Sequence, residues 1–387
     1  MRILFVITGL DIGGAESQLF LLATALHQRG HVVHVVSLTS KGAFGQRFVD
    51  LGIPLGVLGL GRGIPNIAAW RRLRKLIREF KADIVQTWLH HADLFTSLAW
   101  LGAGRPGQLV WGIRCSHLDR RDHRRTLFLV LRVLASISRL PAVIVANSEP
   151  GRRAHEQVGY HPRRWAVIPN AVNSADFVPS LEARLSVREE LGLSADAVLV
   201  GHVARWDPMK DHGTLLQAIG KLVPKHPDVV FVLVGPGVSI SSGVLKQQID
   251  EQNIARNVKV LGARTDIAQV QAAWDIAVCS SYSEGFPNAL AEAMSCEVPC
   301  VTTDVGAAAD LVGDRNLVVP PRDPIALSAA LDHLLSRGES ERRRYGIAAR
   351  QRIVRTFSVD AIVGQYLNLY AQLCQETEPL QRVHSGQ

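Results

Sequence analysis

The sequence predicts an α/β protein built from two doubly wound, Rossmann-like domains, each with a parallel sheet. At 387 residues the chain is longer than one typical domain, and two domains fit its size best. In both halves, short apolar runs alternate with segments whose apolar residues recur at helical spacing, which is typical of β-α-β units. Glycine-rich turns follow several of these runs, as they do at the ligand-binding edge of such sheets. We expect the two domains to face each other across a cleft.

The first half opens with an apolar strand, a glycine-rich turn over residues 9–16 and a helix that ends near Gly30. Gly13 and Gly14 in this turn either let a diphosphate or a sugar lie against the chain or form a plain tight turn. The glycines do not match G-x-G-x-x-G, and no acidic residue ends the second strand, so a dinucleotide site is disfavoured. Strands are predicted here at residues 2–8, 31–37, 54–58, 83–87, 109–113, 142–146 and 166–168.

Pro, Asn and Ser residues interrupt the alternation over residues 167–180, and this interruption predicts the domain boundary. The prediction is an N-terminal domain over residues 1–178 and a C-terminal domain over 179–358, followed by a last helix over 359–376 and a disordered tail over 377–387. In the second domain, strands are predicted at residues 197–203, 229–234, 258–261, 275–280, 300–303 and 317–319, and the closing helices at 325–335, 339–357 and 359–375.

Two carboxylates, Glu284 and Glu292, lie eight residues apart across a turn that opens a helix. Pro287 suits the first helical position. The turn follows a predicted strand, so it belongs to the edge of the sheet where ligands bind, and the free N–H groups of the helix start favour an anion. Carboxylates beside an anion site are suited to accept hydrogen bonds from the hydroxyls of a sugar phosphate. The alternative is a capped helix with two solvated glutamates.

Two cations, Arg205 and Lys210, bracket the turn after the first strand of the second domain, and Asp211 is a predicted helix N-cap. Cations at a helix start make an anion site, although a pair of surface cations would look the same in sequence. No D-x-D triplet occurs in the chain, so we expect these cations, and no metal or other cofactor, to neutralise a diphosphate. Gly235 and Arg264 follow later strands and join the candidate ligand contacts.

In the first half, His90 and His91 follow one strand, and Arg114 and His117 follow another, so all four are candidates for the acceptor side of a cleft. Adjacent histidines rarely chelate one metal together, so no metal site is predicted. His117, close to Asp119, could be an acid/base group, a ligand of an acceptor hydroxyl, or a structural histidine.

The charge is uneven: residues 1–178 carry 23 Lys and Arg against 11 Asp and Glu, whereas residues 179–387 carry 20 against 24. A basic half attracts nucleic acid, anionic lipid or an anionic substrate. Few aromatics interleave the basic stretches at 71–78 and 120–139, which disfavours nucleic acid. These stretches either lie on an anionic membrane surface or form solvated helix faces.

No apolar run is long enough to span a bilayer, and the N-terminus reads as a strand rather than a signal peptide. The five cysteines form an odd set without a C-x-x-C pair, which suits a reducing compartment. The expected location is the cytoplasm, with peripheral attachment to the cytoplasmic face of a membrane as an option.

Four motifs together resemble the family 4 glycosyltransferases of the GT-B fold: GGAE at residues 13–16, R-x4-K at 205–210, VIPNAV at 167–172 and E-x7-E at 284–292. The resemblance covers nearly the whole chain. It implies a metal-independent, retaining transfer of a hexose-type sugar from a nucleotide diphosphate sugar, with UDP favoured over GDP, to a hydroxyl of a glycan or lipid-linked acceptor. The wider role would be the assembly of cell-surface polysaccharide or glycolipid.

The resemblance also implies roles for individual residues. Arg205 and Lys210 would bind the diphosphate and Glu284 the donor-sugar hydroxyls, and these three form the candidate catalytic set. Glu292 would bind the ribose. Backbone near Phe286, Pro287 and Asn288 would approach sugar and phosphate, Gly13 and Gly14 would close over the donor, and the last helix would cross back to the N-terminal domain.

Two departures from the family pattern stand out. Arg114 takes a position where many members have histidine, and residues 170–173 read N-A-V-N where N-G-V-D is common. Two alternatives stay open: a sugar-nucleotide 2-epimerase of the same architecture, and a catalytically silent module of a membrane assembly complex. The intact set of two cations and two glutamates argues against the silent module.

Overall fold

A computed structural model describes residues 1–61, 66–116, 118–119, 125–241 and 243–376. The chain divides into two compact units, the first formed by residues 1–171 together with the chain from Val359 onward and the second by residues 172–358. Each unit contains one parallel sheet with helices, so the predicted fold class of two doubly wound domains is confirmed. No helix in the described part of the chain is long and apolar enough to cross a bilayer.

The first unit has a seven-stranded sheet in the order β3-β2-β1-β4-β5-β6-β7, and adjacent strands run parallel. Its central strands are apolar on both faces because helices cover both sides, which is why they read as continuous apolar runs in sequence. The strands are β1 (Arg2–Ile7), β2 (Val32–Ser37), β3 (Leu55–Val57), β4 (Ile84–Trp88), β5 (Gln108–Ile113), β6 (Val143–Ala146) and β7 (Trp165–Val167).

In the described part of the first unit, six helices connect these strands. The third has the predicted apolar stripe, with Leu73 and Ile77 buried, and it starts at Asn66, whose side chain accepts a hydrogen bond from the Ala68 N–H at 2.9 Å. The helices are α1 (Gly14–Gln28), α2 (Gly42–Asp50), α3 (Ile67–Phe80), α4 (His90–Gly102), α5 (Arg125–Ser136) and α6 (Glu149–Gln157).

The second unit has a six-stranded parallel sheet in the order β10-β9-β8-β11-β12-β13. Its strands are β8 (Leu199–Val203), β9 (Val230–Val234), β10 (Val258–Gly262), β11 (Ile276–Cys279), β12 (Cys300–Thr303) and β13 (Val318–Val319). Its helices are α7 (Leu181–Glu190), α8 (His212–Leu222), α9 (Gly243–Glu251), α10 (Ile267–Ala272), α11 (Asn288–Ser295), α12 (Ala308–Val312), α13 (Pro324–Leu335) and α14 (Gly338–Thr356), with single 3-10 turns at Pro208–Lys210 and Arg315–Leu317.

A buried carboxylate fixes the start of the second unit. Asp275 pairs with Arg184 and Arg188 of α7, each at 2.7 Å, and accepts the Leu199 N–H at 2.7 Å. Two cations and a backbone N–H compensate the buried charge, so the pair is tolerated in a low-dielectric environment. The result is that α7 is tied to the first strand of the sheet.

The last helix, α15 (Val359–Gln375), belongs to the first unit. The Tyr370 hydroxyl donates to Gln86 Oε1 at 2.9 Å, which ties the helix to β4. Its buried face packs into the core that surrounds β1 and β4, and comprises Ile362, Val363, Tyr366, Leu369, Tyr370 and Leu373.

The division between the units falls between Ala171 and Val172, earlier than the predicted boundary at 178/179. Ala171 exchanges two hydrogen bonds with the Gln18 side chain, at 2.7 and 2.9 Å, within the first unit. Val172 already donates to the Phe357 carbonyl at 2.8 Å, and Phe177 packs against the core of the second unit. The irregular composition of residues 167–180 marked a linker, but the structure assigns this segment to the first unit up to Ala171 and to the second from Val172 onward. The tail at 377–387, predicted to be disordered, lies outside the described residues.

Candidate functional site

The loops after β8 and β9 lie together at the carboxyl edge of the second unit's sheet. The Ala204 N–H donates to the Val234 carbonyl at 2.9 Å and the Trp206 N–H to the Pro236 carbonyl at 2.8 Å. Gly235 has a φ of +150°, and a Cβ there would lie 2.0 Å from the Ala204 carbonyl oxygen. Glycine is therefore required at 235 for close approach of the two loops, whatever ligand they bind.

Arg205 reaches outward from this edge. Its guanidinium donates to Asp207 Oδ2 at 2.9 Å, and 55% of its side chain is exposed. Burial pushes the pKa of Asp207 upward, but hydrogen bonds from the Met209 N–H and from Arg205 outweigh it and hold that pKa below its usual range. Asp207 thus both caps the 3-10 turn and holds the guanidinium at the carboxyl edge of the sheet.

Lys210 and Glu284 are brought together although they are 74 residues apart in sequence. Lys210 Nζ lies 2.6 Å from Glu284 Oε1, and the side chains are only 19% and 11% exposed. The Ser281 hydroxyl donates to the same oxygen at 2.7 Å. Lys210 of the R-x4-K motif and Glu284 of the E-x7-E motif therefore form one charged pair.

The two loops that supply this pair are also hydrogen-bonded through the backbone. The Tyr282 N–H donates to the Met209 carbonyl at 3.0 Å, and the Ser280 hydroxyl donates to the Lys210 carbonyl at 2.9 Å. The position of the ion pair is therefore fixed by the main chain as well as by charge.

Behind Lys210, α8 begins with the predicted N-cap: Asp211 accepts the Thr214 N–H at 3.1 Å, which confirms that prediction. Two buried histidines support the turn, their rings 5.1 Å apart. Burial lowers the pKa of His202 to about 4 and that of His212 to about 3, so both are neutral at pH 7. The two histidines therefore contribute no positive charge to this edge at pH 7.

Glu292 occupies the fifth position of α11 and is partly buried. Burial raises the pKa of its carboxyl to about 7. Among the described residues no side chain donates a hydrogen bond to it, so nothing there compensates the cost of ionisation. A polyol that donated hydrogen bonds to this carboxylate would supply that compensation.

The helix containing Glu292 starts one residue later than predicted. Pro287 was expected at the first helical position, but its ψ of 86° is not helical and it forms the N-cap, with Asn288 first in the helix. The Pro287 carbonyl already accepts the Leu290 and Ala291 N–H groups, at 3.1 and 3.2 Å. The Phe286 side chain is buried, and the centre of its ring lies 5.7 Å from the centre of the Phe357 ring. Only the backbone of Phe286 is therefore available to a ligand.

Sequence reasoning missed Gly306, which holds the loop containing Glu284. Its φ is +54°, and a Cβ would lie 2.1 Å from the Glu284 carbonyl oxygen. The neighbouring Ala307 N–H donates to the Gly285 carbonyl at 3.0 Å. The available signal was a glycine three residues past Thr303, which ends a strand at the same edge of the sheet.

Arg264 lies at the same end of the sheet but is held by two carboxylates. Its guanidinium contacts Glu190 at 2.5 Å and Asp266 at 2.6 Å. The hydrogen bonds that Arg264 donates to Asp266 and then to Glu190 raise its pKa above the usual value. A role for Arg264 in donor binding stays a prediction. It would require the guanidinium to replace one of these two carboxylates with a group of the donor.

In the first unit, Gly13 forms the N-cap of α1 and accepts the Ser17 N–H at 3.0 Å, while Gly14 begins the helix. Both thus lie at the carboxyl end of β1. This geometry is compatible with either interpretation of the turn, a ligand contact or a plain helix start.

Among the acceptor-side candidates, Arg114 is held by neighbouring side chains. Its guanidinium lies 3.7 Å from the centre of the Trp88 ring and donates to Asn170 Oδ1 at 3.1 Å and to the Tyr366 hydroxyl of α15. His91 is exposed, whereas His90 is buried beside a histidine that the sequence did not single out, His155. His117 lies outside the described residues.

Comparisons with known proteins agree with this geometry. Residues 184–352 match the family model described as glycosyl transferases group 1, and residues 12–176 match the model described as glycosyltransferase family 4. The chain therefore belongs to glycosyltransferase family 4, with the GT-B fold.

Three similar proteins illustrate the range of this similarity. The D-inositol 3-phosphate glycosyltransferase of Corynebacterium urealyticum is 26% identical over 97% of this chain and 95% of its own. An Escherichia coli UDP-Gal:alpha-D-GlcNAc-diphosphoundecaprenol alpha-1,3-galactosyltransferase is 27% identical over 60% of each chain. The crystal structure of HepE from Anabaena with UDP superimposes with a TM-score of 0.83 at 24% identity, covering 96% of this chain and all of that one, and the same protein is also known with UDP-glucose.

Proposed function

We propose that this glycosyltransferase moves a hexose-type sugar from a UDP-sugar, with retention of anomeric configuration, to a hydroxyl of a glycan or lipid-linked acceptor. GDP-sugars are the alternative donors. The observation that carries the proposal is the 2.6 Å contact between Lys210 and Glu284, because it joins a phosphate-binding cation to a sugar-binding carboxylate at the ligand-binding edge of the sheet.

The chemistry follows from these charges. Departure of the nucleoside diphosphate places negative charge on the oxygen of the broken bond, and Arg205 and Lys210 would stabilise it. In the donor complex Lys210 would exchange Glu284 for phosphate, leaving Glu284 to accept hydrogen bonds from sugar hydroxyls. One preorganised donor of this kind typically contributes about 3 kcal/mol to transition-state stabilisation. The protein's cations would thus do what a divalent ion does in metal-dependent transferases.

The donor and acceptor classes are supported by similar proteins. HepE is known in complexes with UDP and UDP-glucose, and the E. coli relative is named for a donor UDP-galactose and an undecaprenol-linked acceptor. The C. urealyticum relative is named for an inositol phosphate. The undecaprenol-linked acceptor belongs to the lipid-linked class proposed here, whereas the inositol phosphate adds a polyol to the acceptors to be tested.

The test is a turnover assay with UDP-glucose, UDP-galactose, UDP-N-acetylglucosamine and GDP-mannose, each with and without a panel of polyol and lipid-linked sugars. We expect UDP release that depends on an acceptor and persists in EDTA, with an α-linked product by NMR. Acceptor-independent conversion of the donor would instead support a 2-epimerase. No turnover and no donor binding would support the silent module.

We propose in addition that α5 docks the enzyme on an anionic membrane. Leu129 and Val133, one helical turn apart, are 67% and 39% exposed, and Arg125 and Arg132 lie on the same exposed face. Apolar residues flanked by cations suit the interface of an anionic bilayer.

A vesicle flotation assay tests this docking. The wild-type chain should float with phosphatidylglycerol vesicles, and the double variant Leu129→Gln/Val133→Gln should lose most of this binding. Equal partitioning of the wild type and the variant would refute the docking.

A further inference from the structure

Three side chains with metal-binding atoms converge at the carboxyl edge of the first unit's sheet. His90 begins α4 after β4, Cys115 follows β5, and His155 lies in α6 after β6. Their ligand atoms, one per residue, all lie within 4.8 Å of one another. The two histidines are buried and Cys115 is partly exposed, so the cluster is enclosed by protein but accessible from one side.

The orientation of His155 directs a lone pair into the cluster. Its Nδ1 lies 2.8 Å from the Gly151 carbonyl oxygen, which can only accept, so Nδ1 carries the proton. Its Nε2 is then the unprotonated nitrogen, and it lies 2.8 Å from Nε2 of His90. A histidine whose second N–H is held by a backbone carbonyl is the usual arrangement of a metal ligand.

The backbone before His90 is strained. Leu89 has a φ of +77°, a region that a branched side chain rarely adopts, and its N–H is held by the Gly112 carbonyl at 3.1 Å. Such a conformation costs on the order of 1–3 kcal/mol and occurs preferentially at ligand-binding positions. Here the strain fixes the first residue of α4 beside His155.

The surroundings include a further polar group. The Tyr160 ring packs edge-on against His155, with centroids 5.1 Å apart, and its buried hydroxyl has no hydrogen-bond partner among the described residues. A purely apolar packing role would leave this oxygen uncompensated.

We propose that His90, Cys115 and His155 bind a Zn²⁺ ion, with water in the fourth position. Two imidazole nitrogens and a thiolate are a donor set that Zn²⁺ prefers among biological divalent ions. With zinc bonds of about 2.0 Å to nitrogen and about 2.3 Å to sulfur, tetrahedral ligand atoms lie about 3.3–3.5 Å apart. The distance between the Nε2 atoms of His90 and His155 must therefore increase by about 0.5 Å. Binding releases the Cys115 thiol proton to solvent.

The zinc would link the ends of β4 and β5 to α6 within the first unit, whereas the charged residues of the proposed transfer chemistry belong to the second unit. The competing explanation is a neutral histidine pair in which His90 donates one hydrogen bond to His155. That pair requires no metal.

A metal titration distinguishes the two explanations. It uses the full chain, produced without a histidine tag and freed of bound metal by a chelator. We expect one equivalent of Zn²⁺ to bind, and Co²⁺ in its place to give a thiolate-to-metal charge-transfer band. Cys115→Ser should abolish the band and weaken Zn²⁺ binding by more than about 100-fold, because loss of a group that merely orients a ligand already costs about 10- to 100-fold. The matched control is Cys374→Ser, which alters the other partly exposed cysteine and should behave like wild type.

A second measurement needs no variant. One equivalent of Zn²⁺ should protect Cys115 from alkylation in the wild-type chain while Cys374 still reacts, as read by mass spectrometry. Absence of stoichiometric binding, or equal alkylation of Cys115 with and without Zn²⁺, would leave the histidine hydrogen bond as the whole explanation and overturn the site.

Discussion

The ion pair between Lys210 and Glu284 is largely shielded from water, and such pairs contribute less to stability than their geometry suggests. Desolvation of both charges offsets much of their attraction, whereas removal of one partner leaves a buried, uncompensated charge. A single substitution therefore changes stability and chemistry together. A test of function must separate these two effects.

Lys210→Ala and Glu284→Ala should each lower kcat by 100-fold or more, because each removes a group that acts on the developing charge or on the sugar. Steady-state kinetics at saturating donor measure this effect. The charge-neutral double variant Lys210→Met/Glu284→Gln should regain thermal stability but not activity, since it removes both buried charges. Lys225→Ala, which breaks an exposed pair with Asp332, is the matched control and should keep wild-type kcat.

Glu292 makes stability depend on pH in a defined window. Its pKa is raised by burial to about 7 in the folded chain, against about 4.3 for an unperturbed glutamate. Between these values the folded state retains a proton that the unfolded state has released. The free energy of unfolding contributed by this group therefore falls as pH rises from about 4.3 to about 7 and is constant above that range.

Glu292→Gln removes this pH dependence because glutamine does not ionise. The melting temperature of the variant relative to wild type should be higher at pH 8 than at pH 5, as differential scanning calorimetry would show. Glu251→Gln on α9 alters an exposed carboxylate and should give the same difference at both pH values. A variant-to-wild-type difference that does not change with pH would mean that Glu292 ionises normally.

At the residue scale, sequence identified groups that lie next to a turn but not their distant partners. Lys210 and Glu284 were predicted at one site because each follows a strand of the same sheet. His155 was missed because its partner, His90, is 65 residues away, and His91 was the neighbour visible in sequence. The same limit applies to Glu190, which holds Arg264 from 74 residues away.

At the scale of elements, the strands could be predicted almost completely. Parallel strands covered on both faces are continuous apolar runs, and the structure places each predicted run within a few residues of its expected position. The start of α11 was wrong by one residue, because a proline can serve as N-cap or as first helical residue and only its ψ decides. For a turn that holds one loop against another, such as the one at Gly306, the sequence shows the glycine after a strand but not the loop that it contacts.

Gly306→Ala tests how far the loop containing Glu284 depends on this neighbouring turn. The added Cβ would lie 2.1 Å from the Glu284 carbonyl oxygen, so either the turn or the Glu284 backbone must move. We expect a loss of about 1–3 kcal/mol in the free energy of unfolding and a clear fall in kcat, measured by urea denaturation and by kinetics. Gly243→Ala, where a Cβ would meet nothing within 4 Å, is the control and should change neither.

At the scale of the whole molecule, the first unit is assembled from two separate parts of the chain. Residues 1–171 supply its sheet, and α15 closes its core from the other end of the sequence. Helical spacing predicted α15, and only the family resemblance assigned it to the first domain. Periodicity shows which face of a helix is buried but not which core receives it, so this assignment could not come from the residues alone.

The second unit is continuous in sequence and contains both cations and both glutamates of the candidate donor site. A fragment spanning residues 172–358 should therefore fold cooperatively and bind UDP by isothermal titration calorimetry. Lys210→Ala within the fragment should abolish that binding, because the cation is contributed by the same unit.

The reciprocal fragment, residues 1–171, should fail to fold, since it lacks the α15 side chains that fill its core, and large-to-small losses in a core cost about 2–5 kcal/mol per side chain. Appending residues 359–376 to it through a flexible linker should restore a cooperative thermal transition. A fragment 172–358 that folds but does not bind UDP, at concentrations that saturate the full chain, would show that the cations and glutamates of the second unit are not a sufficient donor site. Donor binding would then require groups from the first unit, with Gly13 and Gly14 the first residues to substitute.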